Sequence, residues 1–197
     1  MKEGKLVIFS APSGAGKTTI VKHLMSLDFN FGFSVSATTR KLRGTEQNGK
    51  DYYFLSTEEF KNKINHDEFL EWEEVYPGCF YGTLKSEVDR ICKNGQNILF
   101  DVDVVGGSNI KKFYGEKALA VFIQPPSIKE LENRLLARST DCLEVIKQRI
   151  AKAEHELTYI NQFDIIIVND KLEVAFREAE VKVRQFLEES PDWKRCE

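Results

Sequence analysis

Short apolar runs alternate with longer amphipathic stretches along most of this 197-residue chain. The runs KLVIF, QNILFDV, ALAVFI and DIIIV begin at residues 5, 96, 118 and 164 and are rich in β-branched side chains. Strands that are apolar on both faces and separated by helices are typical of a parallel sheet covered by helices on each side. The sequence therefore predicts an α/β fold with a parallel β-sheet core flanked by helices.

Helix starts are marked by a capping residue that is followed three positions later by glutamate. The matching pairs are Ser56 with Glu59, Ser127 with Glu130, and Asp141 with Glu144. A final helix is predicted from an apolar stripe with helical spacing, bordered by charged residues. Its members are Leu172, Ala175, Phe176, Ala179, Val183, Phe186 and Leu187.

Two regions interrupt the alternation. The first has short mixed segments and the polar loop TTRKLRGTEQNGK, which predict a small mixed α/β lobe. The second is wholly helical and carries arginines, which favours a helical lid. The chain length suits one compact unit. We therefore expect a single domain, residues 1–197, with core segments 1–32, 84–125 and 159–190, a lobe at about 33–83 and a lid at about 126–158.

Composition excludes several classes of partner. Lys and Arg total 28 against 31 Asp and Glu, so the net charge is -3 and no long basic face for nucleic acid is expected. The apolar runs are too short for a membrane-spanning helix or a signal peptide. The four cysteines are widely spaced, which indicates reduced thiols rather than a zinc site. We expect a cytoplasmic protein with no nucleic-acid or membrane partner, and the sequence carries no signal for an oligomeric state.

The stretch SAPSGAGKT, which follows the first apolar run, carries the strongest chemical signal. A strand, a glycine-rich turn and a Lys-Thr pair opening a helix surround a phosphate with backbone N–H groups. Gly14 and Gly16 supply the required backbone angles. In this pattern Lys17 binds the β- and γ-phosphates and Thr18 binds Mg²⁺. Ala11 replaces the first glycine of G-x-x-x-x-G-K-[ST], so a glycine turn that caps an ordinary helix is the alternative interpretation.

The run QNILFDVD offers a second half of such a site. An acidic residue at the carboxyl end of a parallel strand points into the crevice where ligands of open α/β sheets bind. Asp101 is therefore a candidate Mg²⁺ ligand through water, and Asp103 is expected on the same side of the strand. The alternative is an aspartate that caps the next helix.

Two arginines and two phenols in the predicted lobe suit a phosphate that must be held. They are Arg40, Arg43, Tyr52 and Tyr81. Guanidinium groups make bidentate contacts to phosphate oxygens. A solvated basic loop is the alternative interpretation of the arginines.

Together, these segments resemble the guanylate kinase family, in the family's order and spacing over nearly the whole chain. The matching segments are APSGAGKTT (11–19), FGFSVSATTRKLRGTEQNGKDYYF (31–54), FLEWEEV (69–75), FYGT (80–83), FDVDVVG (100–106), RLLAR (134–138) and IVND (167–170). The resemblance implies a P-loop kinase fold in which the lobe binds GMP and the lid closes over ATP.

The resemblance also implies a role for individual residues. The implied ATP-binding residues are Ala11, Pro12, Ser13, Gly14, Ala15, Gly16, Lys17, Thr18 and Thr19, with Asn169 against the adenine. Within the implied GMP site the phosphate is held by Arg40, Arg43, Tyr52 and Tyr81, and the guanine is read by Ser36, Glu71 and Thr83, with Asp101 and Asp103 nearby. The implied catalytic residues are Lys17, Arg134, Arg138 and Arg149, and the metal residues are Thr18 and Asp101.

The implied reaction is ATP-dependent phosphorylation of GMP, and of dGMP, by direct in-line transfer with Mg²⁺, in purine nucleotide metabolism and GMP recycling. Glu71 can accept hydrogen bonds from the guanine N1–H and the exocyclic amine, a donor pair that adenine lacks. A non-catalytic, peptide-binding module of the same family is one alternative, against which Lys17 and Thr18 argue. A kinase for another monophosphate is the second, against which Glu71 and Ser36 argue.

Four features depart from the family's pattern. Ser139 follows the second lid arginine where glycine is common, Val105 replaces a common glutamine, and Lys171 follows IVND where aspartate is common. The turn YPGCF at 76–80 is one residue longer than usual. None of these departures removes a residue assigned to phosphate or guanine.

Overall fold

A computed structural model describes residues 4–137 and 143–188 of the chain. Its strands are β1 (Leu6–Ser10), β2 (Phe31–Phe33), β3 (Ala37–Thr38), β4 (Tyr53–Phe54), β5 (Phe69–Tyr76), β6 (Cys79–Leu84), β7 (Asn97–Asp101), β8 (Ala118–Gln124) and β9 (Ile165–Val168). Its α-helices are α1 (Lys17–Met25), α2 (Thr57–Asn65), α3 (Lys85–Lys93), α4 (Val104–Tyr114), α5 (Ile128–Ala137), α6 (Leu143–Leu157) and α7 (Leu172–Glu188).

The central sheet is parallel, as the sequence predicts. Its strand order is β2-β7-β1-β8-β9, and the predicted apolar runs form β1, β7, β8 and β9. Phe9 pairs with Asp101, so the carboxyl ends of β1 and β7 lie side by side at one edge of the sheet. The loop that follows β1 and the aspartate that ends β7 are thereby brought together.

Helices cover both faces of this sheet. On one face Val7 and Phe9 pack among buried side chains of α1 and α7. On the other face Ile8 packs against residues of α3 and α4, including Ile91 and Ile110. Alternate residues of β1 are therefore buried on opposite sides, which explains why the run is continuously apolar. The predicted α/β fold class is confirmed.

A second sheet of four strands, in the order β4-β3-β6-β5, lies in the region predicted as the lobe. Its pairing is mixed, because β3 runs parallel to β4 whereas β6 is antiparallel to both β3 and β5. Phe60 of α2 stacks on Phe69 with ring centroids 4.3 Å apart and lies 5.5 Å from Phe80. The lobe thus has an aromatic core of its own, while its exact limits, and those of the lid, stay predictions.

Two of the predicted helix starts are described by the structure. Ser56 forms a capping box with Glu59 at the start of α2, and Ser127 accepts a hydrogen bond of 3.0 Å from the backbone N–H of Glu130. Asp141 lies outside the described residues. The helices α5 and α6, in the segment predicted as the lid, pack together through Leu131, Leu135, Ile146 and Ala153. Within residues 4–137 and 143–188, none of the helices combines the length and apolarity that crossing a membrane requires.

Candidate functional site

The loop between β1 and α1 has the geometry of a phosphate-binding turn. Gly14 and Gly16 both adopt a φ of 95°, and the N–H of Ala15 donates to the carbonyl of Pro12 at 3.1 Å. Such backbone angles are strained for any residue except glycine. Lys17 and Thr18 begin α1, so the loop leads directly into a helix N-terminus that attracts anions.

Asn169 supports the conformation of this loop. Its Nδ2 donates a hydrogen bond of 2.7 Å to the carbonyl oxygen of Ala15, and the side chain is buried. A Cβ atom on Gly16 would collide with the same amide group. Arg134 in turn donates to the carbonyl of Asn169 at 3.0 Å. The contact of Asn169 with adenine stays a prediction, and in this structure the amide orders the phosphate loop.

The ammonium group of Lys17 forms an ion pair with Asp101 at the end of β7. Burial lowers the pKa of Lys17 to about 8, although the nearby carboxylates of Asp103 and Glu156 act in the opposite direction. The lysine is therefore still mostly charged at neutral pH. It lies at the point where the predicted ATP and Mg²⁺ residues meet.

A hydrogen-bonded pair of side chains lies on the lobe side of the cleft. Glu71 of β5 and Thr83 of β6 are register partners, and the Thr83 hydroxyl donates to Glu71 Oε1 at 2.6 Å. Burial raises the pKa of Glu71 to about 7, and the hydrogen bond from Thr83 opposes this rise. A Cβ on Gly106 of α4 would lie only 2.6 Å from Glu71 Oε2, so this helix approaches the carboxylate as closely as glycine permits.

Asp103 both caps a helix and faces the cleft. Its Oδ1 accepts the N–H of Gly106 at 2.8 Å, which starts α4. Asp101 and Asp103 nevertheless line the same cavity. The capping role and the functional role, which the sequence analysis treated as alternatives, are therefore compatible. Burial and the nearby carboxylate of Asp103 raise the pKa of Glu73, a residue that was not predicted from the sequence.

The two arginines predicted to hold the acceptor phosphate differ in their contacts. Arg40 donates to both carboxylate oxygens of Glu46, at 2.7 and 2.6 Å, and lies over the Tyr52 ring with its guanidinium carbon 4.7 Å from the centroid. The hydrogen bonds from Arg40 hold the pKa of Glu46 at about 2. Arg43 is exposed, and its backbone N–H donates to Glu46 at 2.8 Å. Neither arginine lines the cavity described next.

One cavity of about 350 Å³ joins the phosphate loop to the lobe. Residues of the loop and of α1 form one wall, and residues of β5, β6 and α6 form the other. The predicted residues that line it are Ala11, Pro12, Ser13, Gly14, Gly16, Lys17, Thr18, Thr19, Ser36, Tyr52, Glu71, Tyr81, Asp101 and Asp103. The remaining lining residues are Val75, Gly82, Val102, Lys152 and Glu156. A single space therefore connects the candidate donor and acceptor sites.

Comparison with known proteins decides the family. A family model described as guanylate kinase matches residues 3–189. The chain belongs to the guanylate kinase family. The predicted family is thus confirmed over nearly the whole length.

Individual members of the guanylate kinase family are closely similar to this chain. The guanylate kinase of Bacteroides thetaiotaomicron is 56% identical over 184 residues, covering 93% of this chain and 90% of that protein. That of Porphyromonas gingivalis is 54% identical over 184 residues, covering 93% of this chain and 98% of that protein. The crystal structure of guanylate kinase from Anaplasma phagocytophilum has a TM-score of 0.76 at 27% identity, covering 96% of this chain and 89% of that chain. The predicted P-loop kinase fold is confirmed.

The lid arginines expected for a guanylate kinase are only partly described. Arg134 of α5 is held by Glu130 at 3.1 Å and by the carbonyl of Asn169, and it does not line the cavity. Arg149 lies half-buried on α6, also outside the cavity lining. Arg138 lies outside the described residues, as does Ser139. The catalytic roles of these arginines stay predictions.

Sequence reasoning missed several charged residues at this site. They are Glu46, Glu73, Lys152 and Glu156. Glu46 lies in the same polar loop as Arg40, so their opposite charges could have predicted an ion pair between them. Lys152 and Glu156 were not detectable in this way, because they reach the cavity only when α6 packs back against the phosphate loop.

Proposed function

We propose that this chain transfers the terminal phosphoryl group of ATP to GMP, with dGMP as a second acceptor, and releases ADP and GDP. The observation that carries the proposal is one cavity that has the phosphate loop on one wall and, on the other, the buried Glu71, whose carboxylate accepts a hydrogen bond from Thr83. Membership of the guanylate kinase family supports the same reaction.

The donor side would bind the triphosphate through the loop from Ala11 to Thr19. Positive φ angles at Gly14 and Gly16 and the open N-terminus of α1 favour anion binding there. The ammonium group of Lys17 would weaken its ion pair with Asp101 and contact the phosphates. Asn169, Arg134, Arg138 and Arg149 would complete this side, with the arginines neutralising charge as the lid closes.

The acceptor side would select guanine through Glu71. A hydrogen bond from Thr83 fixes Glu71 Oε1, which leaves Oε2 to accept from the base. Ser36 and Asp103 would lie beside the same base. A site that depends on such hydrogen bonds rejects the wrong base by roughly 10⁴-fold. Tyr52, Tyr81, Arg40 and Arg43 would hold the acceptor phosphate.

No protein base is required for the transfer. The second pKa of a phosphate monoester is about 6, so the acceptor is mostly a dianion at neutral pH. The chain's own contribution would be to align two phosphates and to neutralise them with Lys17 and the arginines. Closure of lobe and lid would exclude water, which protects ATP from hydrolysis.

Magnesium fits this site as a companion of ATP. The candidate protein ligands, the Thr18 hydroxyl and the Asp101 carboxylate, are both oxygen donors at the mouth of the phosphate loop. In the part of the chain that the structure describes, no group of three His, Cys, Asp or Glu side chains could hold a metal ion. This donor set suits a cation that keeps waters and binds mainly through the nucleotide phosphates, whose charge it would neutralise.

The cellular setting is proposed on the same basis. The chain would act in the cytoplasm, in purine nucleotide metabolism and GMP recycling, on small-molecule nucleotides rather than on nucleic acids or membranes. The net charge of -3 is consistent with free nucleotides, which need only a few cations.

An ADP-release assay tests the proposal with GMP, dGMP, AMP, CMP and UMP as acceptors at equal concentration, with Mg²⁺ and ATP. We expect turnover with the two guanine nucleotides and little with the others. Equal rates with all five acceptors would overturn the specificity, and no acceptor-dependent ADP release would overturn the reaction.

A further inference from the structure

Lys152 connects α6 to the tip of the β5–β6 hairpin. Its Nζ lies 3.6 Å from Glu156 Oε1, one turn further along α6, and 4.9 Å from the ring centroid of Tyr76 at the end of β5. The side chain is only 29% exposed and lines the cavity. A single ammonium group therefore contacts the helical segment and the lobe across the cleft.

Glu73, Asp103 and Glu156 interact electrostatically with one another, and Lys152 attracts Glu73 and Glu156. Glu156 is 5% exposed, and burial raises its pKa, whereas Lys152 and the backbone N–H of Ser13 in the phosphate loop oppose this rise. Its Oε2 has no hydrogen-bond partner among the described residues. Burial and the nearby carboxylate of Asp103 raise the pKa of Glu73 of β5, and Lys152 opposes this rise. The acidic side chains thus come from β5, from α6 and from the start of α4.

Charge explains why the lysine matters there. When ionised, Glu73 is repelled by Asp103 and Glu156 in a cleft that is partly closed to water, where screening is weak. Lys17 is already paired with Asp101. Apart from Lys17, Lys152 is the only lysine or arginine among the described residues that line the cavity. Without it, β5 loses the contact of Tyr76 with the ammonium group, and Glu73 at pH 8, where it is mostly ionised, is pushed away from Glu156.

We propose that Lys152 is a positioning residue of the acceptor site, which holds β5 against α6 by joining Glu73 and Tyr76 to Glu156. It acts on GMP indirectly. Glu71 lies two residues before Glu73 on the same face of β5, so a displacement of Glu73 also moves the carboxylate that reads guanine. The inference rests on the proposed function, because it assigns the acceptor site to GMP.

The test measures GMP binding by calorimetry at pH 8, where Glu73 is mostly ionised, without ATP or metal, in the full chain. Lys152→Gln is expected to weaken GMP binding about tenfold, since one ion-pair contact of this kind contributes on the order of one factor of ten. Binding of a non-hydrolysable ATP analogue with Mg²⁺ should change less than about twofold. Lys147→Gln is the matched control, because Lys147 lies on the same helix, is 75% exposed and pairs with Glu144 at 3.5 Å.

A second variant separates positioning from direct contact. Glu73→Gln in the Lys152→Gln background removes the uncompensated charge, so the double variant should recover most of the GMP affinity. No recovery would show that repulsion of Glu73 is not what displaces β5, which overturns the proposed positioning role. GMP affinities that are equal in Lys152→Gln and Lys147→Gln would overturn it as well.

Two further measurements distinguish failure of the Lys152 inference from failure of the proposed function. Thermal unfolding of each variant checks that the fold is retained, and a Lys152→Gln protein that loses GMP affinity only through global unfolding would count against the inference. Absence of GMP binding by the unmodified chain would instead overturn the proposed function.

Discussion

The side-chain amide of Asn169 donates a hydrogen bond of 2.7 Å to the carbonyl of Ala15, and so ties the end of β9 to the phosphate loop. Gly16 fits beneath this amide only because it lacks a side chain. The conformation of the loop is therefore supported from a position that is distant in sequence. Mutations at Asn169 should alter ATP binding even where the residue touches no nucleotide.

Asn169→Ala is expected to raise the KM for ATP about tenfold, because removing a partner from a buried hydrogen bond costs about 1–3 kcal/mol. The KM for GMP should change far less. Steady-state kinetics with each substrate varied in turn provide the measurement. Asn161→Ala, at an exposed position, serves as the control. An unchanged KM for ATP would show that the loop keeps its shape without this brace.

Lys17→Ala should reduce kcat with every acceptor by about 10²–10³, the usual cost of removing one group that stabilises charge in the transition state. GMP binding measured without ATP should stay within about twofold, since the acceptor site lies across the cavity. Lys22→Ala, on the exposed side of α1, is the control. A Lys17→Ala enzyme that loses turnover with only one acceptor would contradict the donor-side assignment.

The parts of this structure that were predictable depend on local pattern. The runs that became β1, β7, β8 and β9 are continuously apolar because both of their faces are buried, and this signal is visible in sequence. β2, with only Phe31–Phe33, is too short to show a period, and its place beside β7 depends on tertiary packing.

The same distinction holds at the site. The glycines at 14 and 16 were predictable, because their positive φ angles impose a residue type. The approach of Glu156 to Ser13 could not be predicted, because it depends on how side chains from separate segments meet, whereas the pairing of Glu46 with Arg40 lies within one loop. The hydrogen bond from Asn169 to Ala15 could not be predicted either, since 154 residues separate the two.

The raised pKa of Glu71, about 7, predicts that GMP affinity depends on pH near neutrality. Below this value the free protein holds Glu71 protonated, and the carboxylate must lose its proton to accept from guanine. The dissociation constant for GMP should therefore rise as the pH is lowered from 8 to 6. Glu71→Gln is the comparison, because it retains the titration of the GMP phosphate and lacks that of the carboxylate. Identical pH dependence in both proteins would contradict the assignment.

The same shift predicts an effect on stability. A carboxylate whose pKa is higher in the folded than in the unfolded state destabilises the fold when ionised, so this cost is fully present above about pH 7 and is lost as the pH falls towards 4.5. Glu71→Gln should therefore raise the melting temperature at pH 8 and have a smaller effect at pH 5. Thermal unfolding at both values is the measurement. A lower melting temperature at pH 8 would show that the ionised carboxylate is stabilised by its surroundings.

Gly106→Ala tests the close approach of α4 to the guanine-reading carboxylate. A Cβ at this position would lie 2.6 Å from Glu71 Oε2, so the carboxylate has to move. Replacement of glycine by alanine within a helix normally adds about 0.5–1 kcal/mol of stability. Because the carboxylate is displaced, kcat/KM for GMP should fall by about tenfold or more. No matching loss of thermal stability is expected, since alanine favours the helix, and the KM for ATP should change little.

Asn109→Ala, at an exposed position of the same helix, is the matched control and should leave the kinetics with GMP unchanged. Wild-type kinetics for Gly106→Ala would show that Glu71 can move without loss of guanine binding, and the fixed position of the carboxylate would then have no part in selecting the base.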